Sequence, residues 1–355
     1  MTTLIVPCAG KSSRFPGLRP KWLLTHPCGK LMIEMVLESI EFKKYDRVIV
    51  TIVAEHCLKY DADLILEQIF EKNIEICILP EFTKSASETI YQTIKKSKVS
   101  GDFIIKDCDN IVKFNPVIPT RNGIVGASLN NKKFKIDNPL AKSYLLINKQ
   151  NIIEGIVEKK IVSDIVCLGV YCFESAEEFC KAYESLSRGA SDVGECFVSH
   201  VVQYMLSKED VPSEFFFIEA NWYVDWGTLV EWKKLQKKNA CYFVDFDGVL
   251  VKNYGKYGRR NWNNTIEPIE ENIQLLARIS EEGGQIIITT SRTSEYKETI
   301  EKLLTSHGVK VYTIVFGINH APRVLVNDFA ASNPYPSASA INIPRNGQLK
   351  DYINY

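Results

Sequence analysis

Short apolar runs alternate with longer amphipathic stretches along the first part of the 355-residue chain. The apolar runs have the length of strands and read TLIVPCAG, DRVIVTIVA, IEICILP and GDFIIKDCDN. The stretches between them, such as GKLMIEMVLESIEF and YDADLILEQIFEK, carry apolar residues at helical spacing. Strands of the buried type that alternate with helices predict an α/β fold, with a mainly parallel sheet and helices on both faces. Ligands of such sheets bind at the carboxyl ends of the strands, so polar residues there are candidate functional groups.

The same pattern restarts near residue 238, after the polar helix end EWKKLQKKN. A buried strand, ACYFVDFDGVLV, is followed by the helical pattern IEENIQLLARISEEGG, the strand QIIITTSR and the helical pattern YKETIEKLLTSHG. Two more apolar runs, KVYTIVFG and RVLVNDF, are also predicted to be strands. We therefore predict two α/β domains, at residues 1–238 and 239–355, each built on a mainly parallel sheet.

The composition narrows the classes of partner. Lys plus Arg equals Asp plus Glu at 43 each, so net charge gives no reason to expect nucleic acid or a membrane surface as a partner. No apolar run is long enough to span a bilayer, and Pro7 interrupts the first one, so neither a membrane span nor a signal peptide is expected. The ten cysteines are scattered without a C-x-x-C pair, which argues against a zinc or redox motif and favours the cytoplasm.

A loop of small and basic residues, GKSSRFPGLRPK, follows the first predicted strand. Backbone N–H groups of such a loop can approach phosphate oxygens closely, and a following helix N-terminus favours anions. Arg14 and Lys21 could then offset the remaining charge of a polyphosphate, Arg by paired hydrogen bonds and Lys as a point charge. The alternative is a solvated surface loop with ordinary cations.

The order of residues in this loop resembles the signature of nucleotidyltransferases that make nucleotide sugars and related activated alcohols. The pattern A–G–x–x–x–R followed by P–K lies at Ala9, Gly10, Arg14, Pro20 and Lys21. Ser12 and Ser13 occupy positions where the usual motif has glycine and threonine, and they keep the loop small and polar. The resemblance implies a Rossmann-like nucleotidyltransferase fold, with these loop residues at the nucleotide.

Further fragments resemble the family's motifs in the family's order, which makes the set more specific than any single fragment. The first fragment is DCDNI, which contains Asp109 and, as a second candidate for the metal, Asp107. The others are IVEKK with Glu158 and Lys159, LGVYCFES with Gly169, GECFVSHVVQYML with Glu195, and YVDWGTLVEW with Asp225. The resemblance implies that the two aspartates Asp109 and Asp225 hold Mg²⁺. It also implies an acceptor site formed by the residues taken from the three middle fragments. Glu195 could equally be a helix-start carboxylate.

The chemistry that this family catalyses is attack by an acceptor's phosphate on the α-phosphorus of a nucleoside triphosphate, with pyrophosphate as the leaving group. Arg14 would stabilise the pyrophosphate, and Lys21 would contact the reacting phosphates. The base is less defined, because Ser87 and Glu88 stand where the family usually has Gly-Thr or a similar pair. Glu88 could accept from the exocyclic amine of a base, or it could cap the following helix. We favour CTP, UTP or dTTP as the nucleotide, and a sugar phosphate or a small phosphorylated alcohol as the acceptor.

A second site is indicated by CYFVDFDGVLV, where Asp245 and Asp247 follow an apolar strand. One carboxylate can attack phosphorus while its neighbour protonates the leaving oxygen, although an Asp-rich turn is the alternative. With Thr290, Arg323 and Asp328 at other strand ends, the set resembles the haloacid dehalogenase superfamily of phosphotransferases. The resemblance implies Asp245 as nucleophile, Asp247 as acid/base, Thr290 and Arg323 at the phosphate, and Mg²⁺ at Asp245, Asp247 and Asp328. The late acidic motif has one carboxylate where the superfamily often has two, and no large cap domain is inserted.

Together the motifs predict a nucleotidyltransferase fused to a small uncapped phosphatase of the same pathway, which we expect to be surface polysaccharide precursor synthesis. One alternative is a transferase with a non-catalytic binding or dimerisation module at its C-terminal side. Another is a regulatory protein that binds a nucleotide sugar without turnover. The sequence leaves a homo-oligomer open.

Overall fold

The computed structural model describes residues 2–115, 121–189, 195–208, 210–254, 266–328, 330 and 338–353. The chain divides into two compact units, Met1–Glu231 and Trp232–Tyr355. The sequence-predicted boundary at residue 238 lies at the end of a helix, Leu229–Lys238, whereas this division falls near the start of that helix.

The strands of the described residues are numbered in chain order. They are β1 (Thr3–Pro7), β2 (Arg47–Val53), β3 (Glu75–Leu79), β4 (Phe103–Lys106), β5 (Asn110–Phe114), β6 (Gly123–Ser128), β7 (Ser143–Ile147), β8 (Ile152–Glu158), β9 (Ile165–Phe173), β10 (Phe215–Asp225), β11 (Cys241–Asp245), β12 (Gln285–Thr289) and β13 (Val311–Val315). The helices are α1 (Met32–Ser39), α2 (Ala54–Tyr60), α3 (Ala62–Phe70), α4 (Ala86–Ser97), α5 (Ala176–Gly189), α6 (Val198–Leu206), α7 (Leu229–Lys238), α8 (Glu270–Glu282) and α9 (Lys297–Ser306).

The first unit is built on one large sheet with the order β3-β2-β1-β4-β9-β6-β10-β8-β7, and β5 pairs with β10. The α/β class predicted from the sequence is therefore confirmed. The strands β1 to β4 are parallel neighbours, as are β6 and β10. The strand β9 runs antiparallel between β4 and β6, and β7 and β8 form an antiparallel hairpin. The sheet is therefore mixed beyond β4, and among the described strands only the antiparallel pair β7 and β8 is joined by a short hairpin loop.

Apolar residues on both faces of the parallel strands explain the two-layered core. Leu4 and Val6 of β1 belong to one apolar cluster, which also contains Leu37 of α1. The residue between them, Ile5, belongs to a second cluster with Ile90 of α4. Because successive side chains of a strand point to opposite faces, an uninterrupted apolar run is buried on both sides of the sheet.

The second unit has a small parallel sheet in the order β11-β12-β13, with an apolar core shared by α8 and α9. The prediction of a strand in RVLVNDF is wrong, since residues 321–328 are irregular and exposed. Val324 and Val326 are 81% and 88% exposed. This apolar run forms no ladder pair among the described residues and gains no burial there, so its composition alone does not make it a strand. Among the helices that the structure describes, none is both long and apolar enough to cross a bilayer.

Candidate active site

The basic loop after β1 reaches the turn after β4. The Lys21 ammonium donates to Asp109 Oδ2 at 2.6 Å, and Arg14 Nη2 lies 3.6 Å from the same oxygen. Ser12, which has a φ of +50°, accepts a hydrogen bond from the Lys21 backbone N–H at 3.3 Å. Phe15, in the same loop, is buried in the apolar interior. The structure therefore brings the predicted cations to the predicted metal-binding carboxylate.

The charges in this cluster stabilise one another. Burial alone would raise the pKa of Asp109, but Lys21 and Arg14 outweigh burial and hold this pKa well below its usual range. Burial would likewise lower the pKa of Lys21, yet the Asp109 carboxylate keeps it above its ordinary value. Both groups are charged at neutral pH. Gly10 and Ser13 lie exposed in the same loop, where their backbone is open to a ligand.

The other predicted carboxylate, Asp225, ends β10 and lies opposite Asn110 in the antiparallel pair of β10 with β5. A hydrogen bond of 2.9 Å from Trp226 N to Asp109 O ties the two segments together. Gly227 then donates its N–H to Asp225 Oδ1 at 2.9 Å. A Cβ placed on Gly227 would lie 3.0 Å from Asp109 Oδ2 and 3.0 Å from Asp225 Oδ1. The two carboxylates thus face one point, and the glycine leaves that point open.

The donor set at this point fits Mg²⁺. Carboxylate oxygens are the hard ligands that Mg²⁺ prefers, and the ion usually keeps waters and takes phosphate oxygens as its other ligands. Among the described residues, no group of three or more His, Cys, Asp or Glu side chains could hold a metal. Asp109 and Asp225 would therefore provide two ligands, and the remaining ones would come from a bound triphosphate and water.

Two lysines of this site were missed by the sequence analysis. Lys142, just before β7, donates to Asp225 Oδ2 and to the Tyr223 hydroxyl, the latter at 2.7 Å. Lys106 is fully buried and donates to the Asn110 side chain at 2.5 Å and to the Asp107 carbonyl at 2.7 Å. A lysine at the end of an otherwise apolar strand indicates a buried polar site, because lysine is almost never fully buried unless it is paired. The sequence around Lys142 carries no such signal.

Asp107, the second candidate for the metal, lies against Gly169 of β9. Burial, together with the nearby Asp109 carboxylate, raises the pKa of Asp107 to about 6. Its backbone N–H donates to Gly169 O at 2.8 Å. Gly169 has a φ of +73°, and a Cβ there would lie 2.1 Å from Asp107 Oδ2. Gly169 is therefore required by the approach of Asp107, and its predicted contact with the acceptor stays a prediction.

Apart from Gly169, which lies in β9, the predicted acceptor residues lie at the end of the β7–β8 hairpin and just before α6. Glu158 accepts from the Ser199 hydroxyl at 2.6 Å and also from the hydroxyl of Ser143. The Lys159 ammonium lies 4.0 Å from the centroid of a phenylalanine ring that precedes α6. The backbone N–H of Lys159 donates to Lys142 O at 3.1 Å. Glu195 is exposed.

The segment predicted to read the base is held by its own hydrogen bonds. Glu88 accepts from the Lys84 backbone N–H at 2.6 Å, so this carboxylate caps the start of α4. The Ser87 hydroxyl donates to a backbone carbonyl two residues before α6. Thr83 N donates to Ala9 O at 3.2 Å, which fixes this segment beside the loop after β1. Of the two roles considered for Glu88, the geometry favours the cap.

The second unit brings its own polar residues together at the carboxyl ends of β11 and β12. Arg292 donates to both carboxylate oxygens of Asp247. Its Nε lies 3.1 Å from Oδ1 and 3.0 Å from Oδ2, and its Nη2 lies 2.6 Å from Oδ1. Thr290 Oγ1 donates to Asp247 Oδ2 at 3.3 Å. Arg323 Nη2 donates to Asp245 Oδ1 at 3.1 Å. Four of the five predicted residues thus lie near one another, with the basic group Arg292 added.

Arg292 was also missed by the sequence analysis. Its side chain is 4% exposed and packs against the rings of Phe246 and Tyr296, at 5.3 and 5.1 Å from their centroids. Within the described part of the chain its Nη1 has no hydrogen-bond partner. The fifth predicted residue, Asp328, is exposed in the irregular stretch 321–328.

Comparison with known proteins shows the fold. No family model matches the sequence, and neither does any curated protein. A nucleoside-diphosphate-sugar pyrophosphorylase from Vibrio cholerae RC9 has a similar structure, with a TM-score of 0.54 and 17% identity over 65% of this chain and 98% of that chain. A protein described as a glucose-1-phosphate thymidylyltransferase from Bacillus anthracis matches with a TM-score of 0.51 and 16% identity, over 66% of this chain and 94% of its own. The inositol-1-phosphate CTP transferase from T. maritima matches with a TM-score of 0.50 and 14% identity, over 66% and 96%. About two thirds of the chain thus has the fold found in these nucleotidyltransferases.

Proposed function

We propose that the first unit transfers a nucleotidyl group from a nucleoside triphosphate to a phosphorylated sugar or small alcohol. The observation that carries the proposal is the convergence of Arg14, Lys21, Asp109 and Asp225 around the open point above Gly227. Carboxylates and cations in one small space suit a metal-bound triphosphate, since each sign of charge on the ligand meets its opposite.

The proposed reaction uses these contacts. An oxygen of the acceptor's phosphate attacks the α-phosphorus, the bond from that phosphorus to the bridging oxygen breaks, and pyrophosphate leaves with the electron pair. Asp109 and Asp225 would hold Mg²⁺, which would supply positive charge to the phosphates. Arg14, which is more than half exposed, is free to turn toward the leaving pyrophosphate. Lys21 lies deeper and would contact the reacting phosphates. The attacking phosphate is already ionised, so no general base is needed, and positioning and charge stabilisation supply the rate.

The test measures pyrophosphate release in Mg²⁺ from CTP, UTP, dTTP, GTP and ATP. Each triphosphate is paired with glucose 1-phosphate and with inositol 1-phosphate, the acceptors named for two of the structural neighbours. We expect release with at least one pair. Asp109→Asn, which keeps the shape but removes the charge, should lower the rate by roughly 10²-fold or more. Equal rates for the wild type and Asp109→Asn would contradict the proposal.

For the second unit we propose hydrolysis of a phosphate monoester, with Asp245 as nucleophile and with Asp245 and Asp247 as the residues that would hold Mg²⁺. Among the described residues, Asp328 does not join them in a group of three that could hold a metal. The proximity of Asp245, Asp247 and Thr290 supports this function. One observation favours the alternative of a non-catalytic module: Arg292 holds Asp247, the proposed acid/base, through both carboxylate oxygens. Phosphate release from p-nitrophenyl phosphate separates the two. Phosphatase activity that Asp245→Asn abolishes supports catalysis, and no difference between the two proteins supports the module.

We further propose a cytoplasmic enzyme that supplies activated precursors for surface polysaccharides. All ten cysteines are free thiols, four of them partly or fully accessible, and this state is the one that a reducing compartment maintains.

A further inference from the structure

Lys142 neutralises one of the two carboxylates that would hold the metal. The side chains of Lys142 and Asp225 are 16% and 10% exposed, so the pair is largely shielded from water. The Lys142 ammonium donates to Asp225 Oδ2, while Asp225 Oδ1 accepts the Gly227 N–H at 2.9 Å. Each oxygen of Asp225 therefore already accepts a hydrogen bond, and a cation that binds this carboxylate must compete with these donors.

The same lysine is connected to the strands that carry the predicted acceptor residues. Its backbone carbonyl accepts from Lys159 N at 3.1 Å, and the next residue, Ser143, lies opposite Glu158 in the β7–β8 pair. The Tyr223 hydroxyl accepts a second hydrogen bond from the Lys142 ammonium at 2.7 Å. A long, flexible side chain anchored at this position can reach either Asp225 or a phosphate that lies next to Lys159.

A divalent cation at Asp225 would meet this ammonium at short range. Two positive charges on one shielded carboxylate repel strongly, because the local dielectric constant is lower than in water. We propose that Lys142 and the divalent cation exchange at Asp225, and that the displaced ammonium then binds the phosphate of the acceptor. The inference rests on the proposed transferase function for the identity of that phosphate. It assigns Lys142 the role of a group that couples metal binding to acceptor binding.

The first test measures Mn²⁺ binding to the full chain without nucleotide, from the electron paramagnetic resonance signal of free Mn²⁺. Lys142→Met should bind Mn²⁺ at least about tenfold more tightly than the wild type, since it removes the competing cation; tenfold corresponds to 1.4 kcal/mol. Lys149→Met is the matched control, because it removes an exposed lysine from the loop of the same hairpin. It should stay within about twofold of the wild type. Equal Mn²⁺ affinity in Lys142→Met and the wild type would overturn the exchange.

A second comparison assigns the effect to Asp225. The change Lys142→Met is introduced into both the wild type and Asp225→Asn. If the two cations share this carboxylate, the tightening should disappear in the Asp225→Asn background. Tightening of the same size in both backgrounds would overturn the exchange at Asp225, even if Lys142→Met alone had behaved as expected.

The acceptor half is tested with inorganic phosphate as the probe, by equilibrium dialysis with and without Mg²⁺. We expect Mg²⁺ to strengthen phosphate binding in the wild type and in Lys149→Met, and to have less than half of that effect in Lys142→Met. Identical responses in the three proteins would overturn transfer of the ammonium to phosphate. Neither binding measurement depends on turnover. An absence of pyrophosphate release would therefore remove the proposed function while leaving the exchange at Asp225 supported.

Discussion

A buried histidine should make the first unit sensitive to mild acid. His56 of α2 is 2% exposed and lies between two aromatic rings, 5.6 Å from Trp22 and 5.4 Å from Phe82 between centroids. Its Nδ1 has no hydrogen-bond partner in the described part of the chain. Burial lowers the pKa of His56 to about 4, against 6.5 for an exposed imidazole. The folded protein therefore holds this ring neutral.

The sign and the size of the effect follow from linkage. Between pH 6.5 and 4 the unfolded chain binds a proton at His56 that the folded chain does not, so the free energy of unfolding falls as the pH falls. The contribution of the neutral His56 ring to the free energy of unfolding is present above pH 6.5 and is lost progressively toward pH 4. At pH 5 this difference in proton binding lowers the free energy of unfolding by about 2 kcal/mol. For a unit of this size, such a loss lowers the melting temperature by roughly 4–8 °C.

The perturbation is His56→Phe, which keeps an aromatic ring in place but cannot be protonated. Scanning calorimetry of the full chain at pH 7 and pH 5 gives the acid-induced drop for each protein. The drop of the first unit should be smaller in His56→Phe by roughly 4–8 °C. His320→Asn, which removes an exposed histidine, should retain the full wild-type drop. An equal drop in His56→Phe and the wild type would refute the reasoning, whatever the stability of the variant at pH 7.

Three further predictions concern the candidate active site. Gly169→Ala should destabilise the first unit by roughly 1–3 kcal/mol in denaturant unfolding, because its left-handed backbone and the 2.1 Å approach to Asp107 leave no room for a methyl group; an unchanged midpoint would contradict this. Gly227→Ala should weaken Mn²⁺ binding by about tenfold or more, with little change in melting temperature, because the methyl group would lie 3.0 Å from oxygens of both Asp109 and Asp225; unchanged metal affinity would show that the ion binds elsewhere. Chelation with EDTA should abolish pyrophosphate release, and excess Mg²⁺ should restore it, whereas residual activity in EDTA would argue against the metal.

Most of the first unit's parallel layer could be predicted from the sequence, because burial on both faces leaves an uninterrupted apolar run in each strand. The loop and the turn that meet at the site were also predictable, since both follow strand ends at the same edge of the sheet. The pairing of Lys142 with Asp225 was not. These residues are 83 positions apart, and their contact depends on how β7 and β10 are placed in the mixed part of the sheet.

Local competition explains two other outcomes. Glu88 could have read a base, but a backbone N–H four residues earlier is always within its reach, and the structure uses that donor. The run RVLVNDF has the composition of a strand, but an apolar composition indicates only that burial of the segment would be favourable. It does not say that a partner strand is available. Arg292 could not be recognised as a partner of Asp247, because nothing in TTSR separates a buried arginine from an exposed one.

The eleven-residue strand β10 determines when the site can form. Its first half pairs with β6 and β8, and its last residues pair with β5 and end in Asp225. Arg14 lies near the other end of this unit's sequence, so a long stretch of chain must fold before the two groups can meet. During synthesis on a ribosome, an emerging chain that lacks β10 would have its basic loop but only one of the two acidic groups. Tight metal binding would then mark the completion of folding in this unit, and a truncated product would lack it.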